Sequence, residues 1–295
     1  MAIAKKEVVY WTSCLLYGAV LTGVLLYIRF PAEKVRRYCE RFVEDRLPDS
    51  SCSITSMKYI FPFRVVFEDI RVMNKKSGEG LLFEDPQLSF EPVWSNPLHF
   101  FKVESTAFGG SHEAQILINN EEKSLSFFEV EMKSVNLNMV PALHKKLDRK
   151  VSGTVDFSGT VKGKTDELMI LAAEGVLSVY DGGFELKKTI LELKSLERVE
   201  STVHINLQKD TILLSEGELK NAQLNVSYAG NIAIIKPWPG SSINVKGGLV
   251  PLASLLQEKK QLKTIVARMQ QKYNAQSLPY HVNGTIGRPT FTFGN

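Results

Sequence analysis

The sequence predicts a mainly β protein that is attached to a membrane by one N-terminal helix. The segment Val8–Ile28 has 21 consecutive residues without a charge, enough to cross ~30 Å of hydrocarbon as a helix. After Ser53, short runs of alternating apolar and polar residues follow one another, separated by turn residues. Because almost no helical pattern separates these runs, we expect an antiparallel sheet rather than alternating strands and helices.

The composition supports a folded core and argues against several protein classes. Hydrophobic residues make up 44% of the 295 residues, which argues against disorder. The formal net charge of +4 is too small to indicate a nucleic-acid-binding protein, which needs a concentrated basic surface. The three cysteines, Cys14, Cys39 and Cys52, form no Cys-x-x-Cys pair and lie near no histidine pair at zinc spacing, so we expect no structural metal.

We expect residues 8–30 to form a transmembrane helix, with residues 1–7 in the cytoplasm and the rest of the chain beyond the membrane. The predicted anchor side chains are Tyr10, Trp11, Leu15, Leu16, Val20, Leu21, Val24, Leu25 and Tyr27. Basic residues flank both ends and do not favour this orientation, but long C-terminal domains translocate largely regardless of flanking charge. The alternative is a cleaved signal peptide, although the apolar run is long for one and no small-x-small cleavage site follows it.

Residues 31–48 predict a second, amphipathic helix next to the membrane. Val35, Tyr38, Cys39, Phe42 and Val43 recur at helical spacing. This helix either covers the following β domain or lies on the membrane surface, and covering is favoured because such apolar stripes are usually core. The sequence leaves open whether Cys39 pairs with a second cysteine, Cys52, in an oxidising compartment or both stay free thiols.

The predicted β domain covers residues 53–295. Its strand-like runs are Ser53–Met57, Phe63–Met73, Leu81–Phe90, His99–Ala107, Glu113–Asn119, Ser124–Leu137, Val151–Val161, Leu168–Tyr180, Phe184–Leu193, Ser201–Gln208, Thr211–Leu214, Gln223–Tyr228, Asn231–Ile235 and Ser242–Val250. We expect Asp181-Gly182-Gly183 and Lys209-Asp210 to form hairpin turns between their neighbouring strands.

The stretch SGTVKGKT, residues 158–165, resembles a phosphate-binding loop but has Ser158 at the first glycine position. Period-two alternation runs from Val151 through Val161 without interruption, which is typical of a strand with one buried face. A phosphate-binding loop would need a helix that begins at its lysine. We therefore expect a strand here, with residues 163–166 as its turn.

Two segments of the chain resemble each other. Residues 135–160 and 243–293 both contain a strand, a Val-Pro pair, a helix and a strand with Gly-Thr-Val/Ile. Ser152-Gly153-Thr154-Val155 matches Asn283-Gly284-Thr285-Ile286, which suggests a sheet built by adding similar units. The helix of the second copy is long, amphipathic and basic. We expect it to cover an open sheet, with binding to anionic lipid headgroups or to a partner as the alternative.

No catalytic constellation is visible in the sequence. Gly109-Gly110-Ser111-His112-Glu113 suggests a nucleophile, but it lacks the closing glycine of G-x-S-x-G. The five histidines are scattered and show no H-E-x-x-H spacing. The expectation is therefore a protein that is not an enzyme, with no catalytic residues, no cofactor and no metal.

Several motifs resemble the AsmA-like proteins of Gram-negative bacteria. The segment Phe61–Val72 is similar to their proline-initiated opening strand, and VPALHKKLDRKVSGTVDFSG is similar to their helix followed by a glycine-punctuated strand. The ending VNGTIGRPTFTF, with Gly284, Gly287, Arg288 and Pro289, resembles the AsmA-related form of the N proteins of type II secretion.

The resemblance implies a single-pass inner-membrane protein with a periplasmic, strongly curved antiparallel sheet, whose apolar concave face needs helices, a partner or acyl chains to cover it. The implied role is a non-enzymatic scaffold or coupling subunit of type II secretion. The alternative is an AsmA-like protein that binds or transfers lipid. Implied partners are the inner membrane, other secretion subunits and phospholipid acyl chains, but no nucleic acid. The expected residues of the apolar groove face are Val151, Val155, Phe157, Val161, Val176 and Phe184. A closed sandwich with an ordinary core is the competing fold.

Overall fold

The computed structural model describes residues 2–47, 49–60, 64–75, 80–82, 87–92, 99–119, 124–140, 143, 149–164, 169–235 and 238–294. Strands hold 62% of the described residues, so this part of the chain is mainly β, as the sequence predicts. The chain folds into two compact units, residues 1–105 and 106–295. Strand pairing in the described ladders of each unit is antiparallel.

The first unit contains two helices followed by short strands. Its elements are α1 (Ala2–Arg29), α2 (Ala32–Arg46), β1 (Ser50–Ile60), β2 (Arg64–Asn74), β3 (Gly80–Leu82), β4 (Gln87–Pro92) and β5 (Phe100–Ala107), the last of which ends two residues into the second unit. The strand β2 pairs with β1 along its length, and its other side pairs first with β4 and then with β3.

The second unit is a meander in which each strand pairs with the next. Its elements are β6 (Gly110–Asn119), β7 (Ser124–Asn136), β8 (Val151–Lys164), β9 (Met169–Ile190), β10 (Leu193–Gln208), β11 (Thr211–Lys220), β12 (Leu224–Ala233), β13 (Ser242–Pro251), α3 (Ala253–Glu258), α4 (Lys260–Tyr273), β14 (Leu278–Thr285) and β15 (Pro289–Phe293). The helices α3 and α4 lie between β13 and β14 in the chain.

The N-terminal helix α1 is long and apolar enough to span a membrane. All nine predicted anchor side chains, Tyr10 to Tyr27, are exposed. Exposed apolar side chains along a whole helix are costly in water and favourable in hydrocarbon.

The helix α2 packs its apolar stripe against the first strands. Val35, Cys39 and Val43 contact a cluster that contains the buried Ile54 and Phe67. The predicted stripe thus lies on a helix, and three of its five residues pack here, whereas Tyr38 and Phe42 are exposed. The remaining face of α2 points to solvent.

Polar side chains of α2 form hydrogen bonds with backbone N–H and C=O groups at the outer edge of β1. The Glu40 carboxylate accepts the Ile54 N–H at 2.9 Å, and the Glu44 carboxylate accepts the Cys52 N–H at 3.2 Å. Arg36 donates to the Ile54 carbonyl at 2.7 Å. Residues four apart on a helix rise about 6 Å and residues two apart on a strand about 6.6 Å, so the two spacings match. This protects an edge strand from pairing with other chains.

Cys39 and Cys52 are free thiols in the structure. Burial, and to a smaller extent the nearby Glu40 and Glu44 carboxylates, raise the pKa of Cys52 to about 11. Burial also raises the pKa of Cys39. Both groups therefore stay protonated and behave as small apolar residues of the cluster.

The hairpin predicted at Asp181-Gly182-Gly183 is wrong. The strand β9 runs through this stretch for 22 residues and pairs on both sides, where Gly183 faces Ser152 and Gly182 faces Val199. The ladders shift register there, and Asp181 has φ 48°. The turn-like residues form a β-bulge because two neighbouring strands hold the chain extended.

The chain reverses instead at two residues that the sequence does not mark as a turn. Leu191 and Glu192 have φ 48° and 63° and join Ile190 directly to its partner Leu193. A left-handed leucine costs about 1–2 kcal/mol, and here its side chain is buried in the core of the second unit. The predicted turn at Lys209-Asp210 is confirmed between β10 and β11.

The predicted runs Gln223–Tyr228 and Asn231–Ile235 are not separate strands. One strand, β12, extends from Leu224 to Ala233 and covers most of both runs. Gly230 keeps its place in the ladder, opposite Leu214 on one side and Val245 on the other.

The stretch SGTVKGKT forms a strand as far as it is described. Lys164 is the last residue of β8, paired with Ser124 on one side and Met169 on the other. No helix begins at this lysine, so the phosphate-loop interpretation fails. Residues 165 and 166 of the predicted turn lie outside the described residues.

The internal similarity extends to backbone conformation. Gly153 and Gly284, the matched glycines of the two segments, have φ 112° and 98°. Each lies in a strand, β8 and β14 respectively. The helix predicted in the first segment lies mostly outside the described residues.

Replacing Glu40 with alanine is expected to loosen β1, because the buried Ile54 N–H loses its acceptor. The expected loss of protection at this amide is about 5- to 150-fold in hydrogen exchange, equivalent to about 1–3 kcal/mol. Glu40→Gln keeps an acceptor oxygen and should retain most of the protection. The exposed Asp45→Ala is the surface control, and equal protection in Glu40→Ala and Asp45→Ala would contradict the edge-capping role.

Candidate functional site

One row of side chains crosses eight strands of the second unit, β7 to β14. Each member pairs directly with the next: Val135, Val155, Val179, Ser201, Leu219, Val226, Leu249 and Leu278. Paired residues of antiparallel strands point to the same face. The row therefore defines one apolar face, which we call the apolar face of the second unit.

A second row on this face alternates glycine with aromatic residues. It runs Gly217, Tyr228, Gly247, Tyr280 and Phe293 across β11 to β15. A Cβ at Gly217 would lie 2.5 Å from the Tyr228 ring, so only glycine admits the ring there. The Tyr228 ring thus lies against β11, where its cross-strand neighbour has no side chain.

The two tyrosines of this row bury their phenol groups with partners. Tyr228 and Ser201 hydroxyls are 2.9 Å apart, and the Tyr280 hydroxyl donates to the Ser227 carbonyl at 3.2 Å. Ser201, the one polar member of the eight-strand row, also donates to the Glu218 carbonyl. Burial raises the pKa of both Tyr228 and Tyr280, so both phenols stay neutral in the ordinary pH range.

The helices α3 and α4 pack against one end of the apolar face. Leu255, Leu262 and Val266 are nearly or wholly inaccessible and join a cluster with Leu249 and Leu278. The helical stripe predicted from the sequence is thus part of the core of this unit.

Three hydrogen bonds tie this helical segment to three different chain reversals or strands. Ser254 donates to the Ala222 carbonyl between β11 and β12. Lys259 donates to the Glu192 carbonyl at 2.9 Å, and Tyr273 donates to the Phe293 carbonyl of β15 at 3.2 Å. Contacts to separated parts of the sheet hold the helices in one position.

Next to this cluster the apolar face lines a cavity of about 500 Å³. Of its 17 lining residues, only Arg149 carries a charge. The walls come from the beginning of β8, from β9 to β15 and from Ile286. This volume lies within the roughly 300–1,000 Å³ of small-molecule sites. We call this space the apolar cavity.

The structure separates the six residues of the predicted groove face. Val151 and Phe184 pair with each other and line the apolar cavity. Val155, Phe157 and Val161 share the apolar face through their partners Val179, Leu177 and Ala173 but do not line the cavity.

Val176 does not belong to this face. It pairs with Ser158 and with His204, both on polar positions, whereas its neighbour Leu177 pairs with Phe157. In a regular strand, Val176 and Phe184 would point to the same face, because they are eight residues apart. The bulge at Asp181 adds a residue between them and changes the phase.

Most residues of the cavity wall escape prediction from the sequence. Leu186 and Ile190 lie in the predicted run Phe184–Leu193, which follows the wrongly predicted hairpin. Val226 lies in the predicted run Gln223–Tyr228, whereas Leu219 lies in the part of β11 beyond the predicted run Thr211–Leu214. The alternation of apolar and polar residues predicts which face of each strand is buried. It does not predict which strands line the same cavity, because contacts between strands far apart in sequence have no signature in the local sequence pattern.

The opposite face of β11 to β14 is polar and open. A space of about 1080 Å³ on it is lined by groups such as Glu218, Asn231, Lys246 and His281. His281 and Asn244 are hydrogen bonded at 2.7 Å. Such a wide, charged space buries little of a ligand, so the apolar cavity is the better candidate site.

The stretch Gly109–Glu113, in which the sequence suggests a nucleophile, does not bring the Ser111 and His112 side chains together. Ser111 and His112 are consecutive residues of β6, so their side chains point to opposite faces. Within the described residues, no group of three or more His, Cys, Asp or Glu side chains is arranged to hold a metal ion.

No protein-family model, curated protein or solved structure matches the chain.

Alkaline titration is expected to unfold the second unit through its buried tyrosines. The folded pKa of Tyr280 lies above the unfolded value near 10, so the unfolded state loses its proton first. Stability is therefore unaffected below about pH 10 and falls above it, by up to about 1.4 kcal/mol per pH unit for each such group. Urea unfolding of Tyr280→Phe between pH 9 and 11.5 should show a shallower fall than wild type. Equal slopes would contradict the buried neutral phenol.

Proposed function

We propose that this chain is a non-enzymatic, membrane-anchored protein whose second unit binds an apolar chain, such as the acyl chain of a phospholipid. The observation that carries the proposal is the apolar cavity, with 16 of its 17 lining residues uncharged. An apolar ligand gains about 25 cal/mol for each Å² removed from water. A polar substrate would lose hydrogen bonds there without replacement, at a cost of about 1–3 kcal/mol per group.

The finer fold that we propose is a curved sheet whose apolar face forms a groove, with α3 and α4 covering one end. The alternation of glycine and aromatic residues from Gly217 to Phe293 supports bending, because glycine lets neighbouring strands approach closely. The cavity beside the packed end supports an open remainder that an acyl chain can occupy. In a closed sandwich, the side chains of an ordinary core would fill this space.

The second candidate function is the scaffold role in type II secretion that the sequence resemblance implies. The ending Val282–Phe293, which carries that resemblance, forms the last part of β14 together with β15. A scaffold would bind secretion subunits and would not need bound lipid. Cross-linking in cells followed by mass spectrometry tests it, and recovery of secretion subunits without lipid would favour it over lipid binding.

We propose an inner-membrane location, with α1 as a single span and residues 53–295 in the periplasm. The exposed apolar side chains of α1 support the span. A C-terminal alkaline phosphatase fusion, which is active only in the periplasm, should be active, and a C-terminal green fluorescent protein fusion should be dark. The reverse pattern would contradict this orientation.

Lipid binding is tested by filling the cavity. We expect about one phospholipid or fatty acid per chain to remain with the protein purified in mild detergent, measured by native mass spectrometry. Val151→Trp places a large ring in the cavity wall and should lower the bound fraction by more than half.

The matched control is Val161→Trp, on the same strand and the same face but outside the cavity lining. It should retain lipid as wild type does. Absence of lipid from the wild-type chain, or equal loss in both variants, would contradict the proposed binding site.

A further inference from the structure

The outward face of α2 exposes two aromatic side chains side by side. Tyr38 is 68% exposed and Phe42 is 39% exposed, and their ring centroids are 6.4 Å apart. The Arg46 guanidinium lies 4.9 Å from the Phe42 ring centroid. Neighbouring aromatic rings on a solvent-facing helix surface are unfavourable in water, and they suit the boundary between lipid headgroups and acyl chains.

Basic residues flank the aromatic pair on the same face. Lys34, Arg37 and Arg41 are exposed and follow helical spacing around Tyr38. The acidic residues of α2 lie mostly elsewhere. Glu40 and Glu44 accept hydrogen bonds from β1, and Glu33 pairs with Arg36 at 2.9 Å. The exposed Asp45 lies one turn beyond Arg41, at the end of the helix farther from α1.

The chain connection places α2 beside the proposed membrane span. α1 ends at Arg29 and α2 begins at Ala32. The Phe30 ring stacks on Tyr59 with centroids 4.7 Å apart, which fixes the junction on β1. A helix that starts two residues after a span and is about 22 Å long begins within the headgroup region.

An apolar space lies beside the two rings. A cavity of about 340 Å³ in the first unit is lined by Tyr38 and Phe42 together with Cys39, Val43, Phe67 and other apolar residues. All of its lining is apolar in character. An apolar group that enters this cavity from the surface of α2 would therefore contact apolar side chains rather than water.

We propose that the outward face of α2 binds an anionic lipid surface, with Tyr38 and Phe42 at the acyl boundary and Lys34, Arg37 and Arg41 on lipid phosphates. The inward face of α2 is occupied by β1, so one helix both covers the sheet and contacts the membrane. The inference rests on the membrane anchor of the proposed function. It does not depend on the apolar cavity of the second unit.

The test uses the full chain in nanodiscs of phosphatidylcholine alone or mixed with phosphatidylglycerol. A photoreactive benzoylphenylalanine replaces Tyr38 in one sample and Ser53, an exposed residue of β1, in the control. Lipid adducts are counted by mass spectrometry. We expect phosphatidylglycerol adducts at position 38 to exceed those at position 53 several-fold.

Charge reversal separates headgroup binding from simple proximity. Each Lys or Arg near an anionic surface is worth about 1 kcal/mol, roughly fivefold in binding. The double change Arg37→Glu with Arg41→Glu should therefore lower the phosphatidylglycerol adducts at position 38 by fivefold or more. The matched control, Lys263→Glu with Arg268→Glu on α4, makes the same change in net charge and should leave them unchanged.

Two outcomes would overturn the inference in distinguishable ways. Failure of the chain to co-elute with nanodiscs would refute the anchor and, with it, this inference. Co-elution with equal adducts at positions 38 and 53, or with no effect of the Arg37 and Arg41 changes, would refute the lipid contact of α2 alone.

Discussion

The apolar row that crosses eight strands of the second unit, from Val135 to Leu278, is the constraint on which the rest of that unit depends. Each cross-strand pair contributes roughly 0.2–1 kcal/mol, and burial of each leucine contributes about 1.5–3 kcal/mol. A slip of one residue in any strand would send its apolar side chains to the polar face. The bulges therefore fall where an extra residue must be absorbed, as at Asp181.

An apolar face is unfavourable in water, so other apolar groups must pack against it. Leu255, Leu262 and Val266 pack in one cluster with residues of this face, and Ser254, Lys259 and Tyr273 donate hydrogen bonds from the helical segment to separate parts of the sheet. Other members of this cluster, among them Leu193, Leu196 and Leu224, line the apolar cavity. In the first unit, Val35, Cys39 and Val43 of α2 pack against the first strands, and Glu40 and Glu44 accept hydrogen bonds from the edge of β1. In both units, apolar helix side chains thus pack against apolar strand side chains.

The sequence predicts the strands of the second unit well where apolar and polar residues alternate along one strand, as from Val151 to Val161. It fails where pairing with neighbouring strands determines the backbone conformation. Asp181-Gly182-Gly183 has the residues of a turn, but β8 and β10 hold it in a strand. The same bulge explains the wrong placement of Val176. The turn at Leu191 was missed because leucine rarely takes a left-handed backbone, and burial in the core offsets its cost here. Val151 and Phe184, which the sequence suggests for an apolar groove face, line the apolar cavity. The other residues of the cavity wall come together only through the pairing of the strands.

We propose that the apolar cavity requires an apolar occupant. The most direct measurement is thermal unfolding together with hydrogen exchange of the purified chain before and after extraction of bound lipid. Because a ligand that binds only the folded state stabilises it, the account predicts a lower Tm and faster exchange in β11 to β14 after extraction. Adding phospholipid back should restore both. An unchanged Tm and unchanged exchange after complete extraction would show that the cavity needs no occupant and would contradict the account.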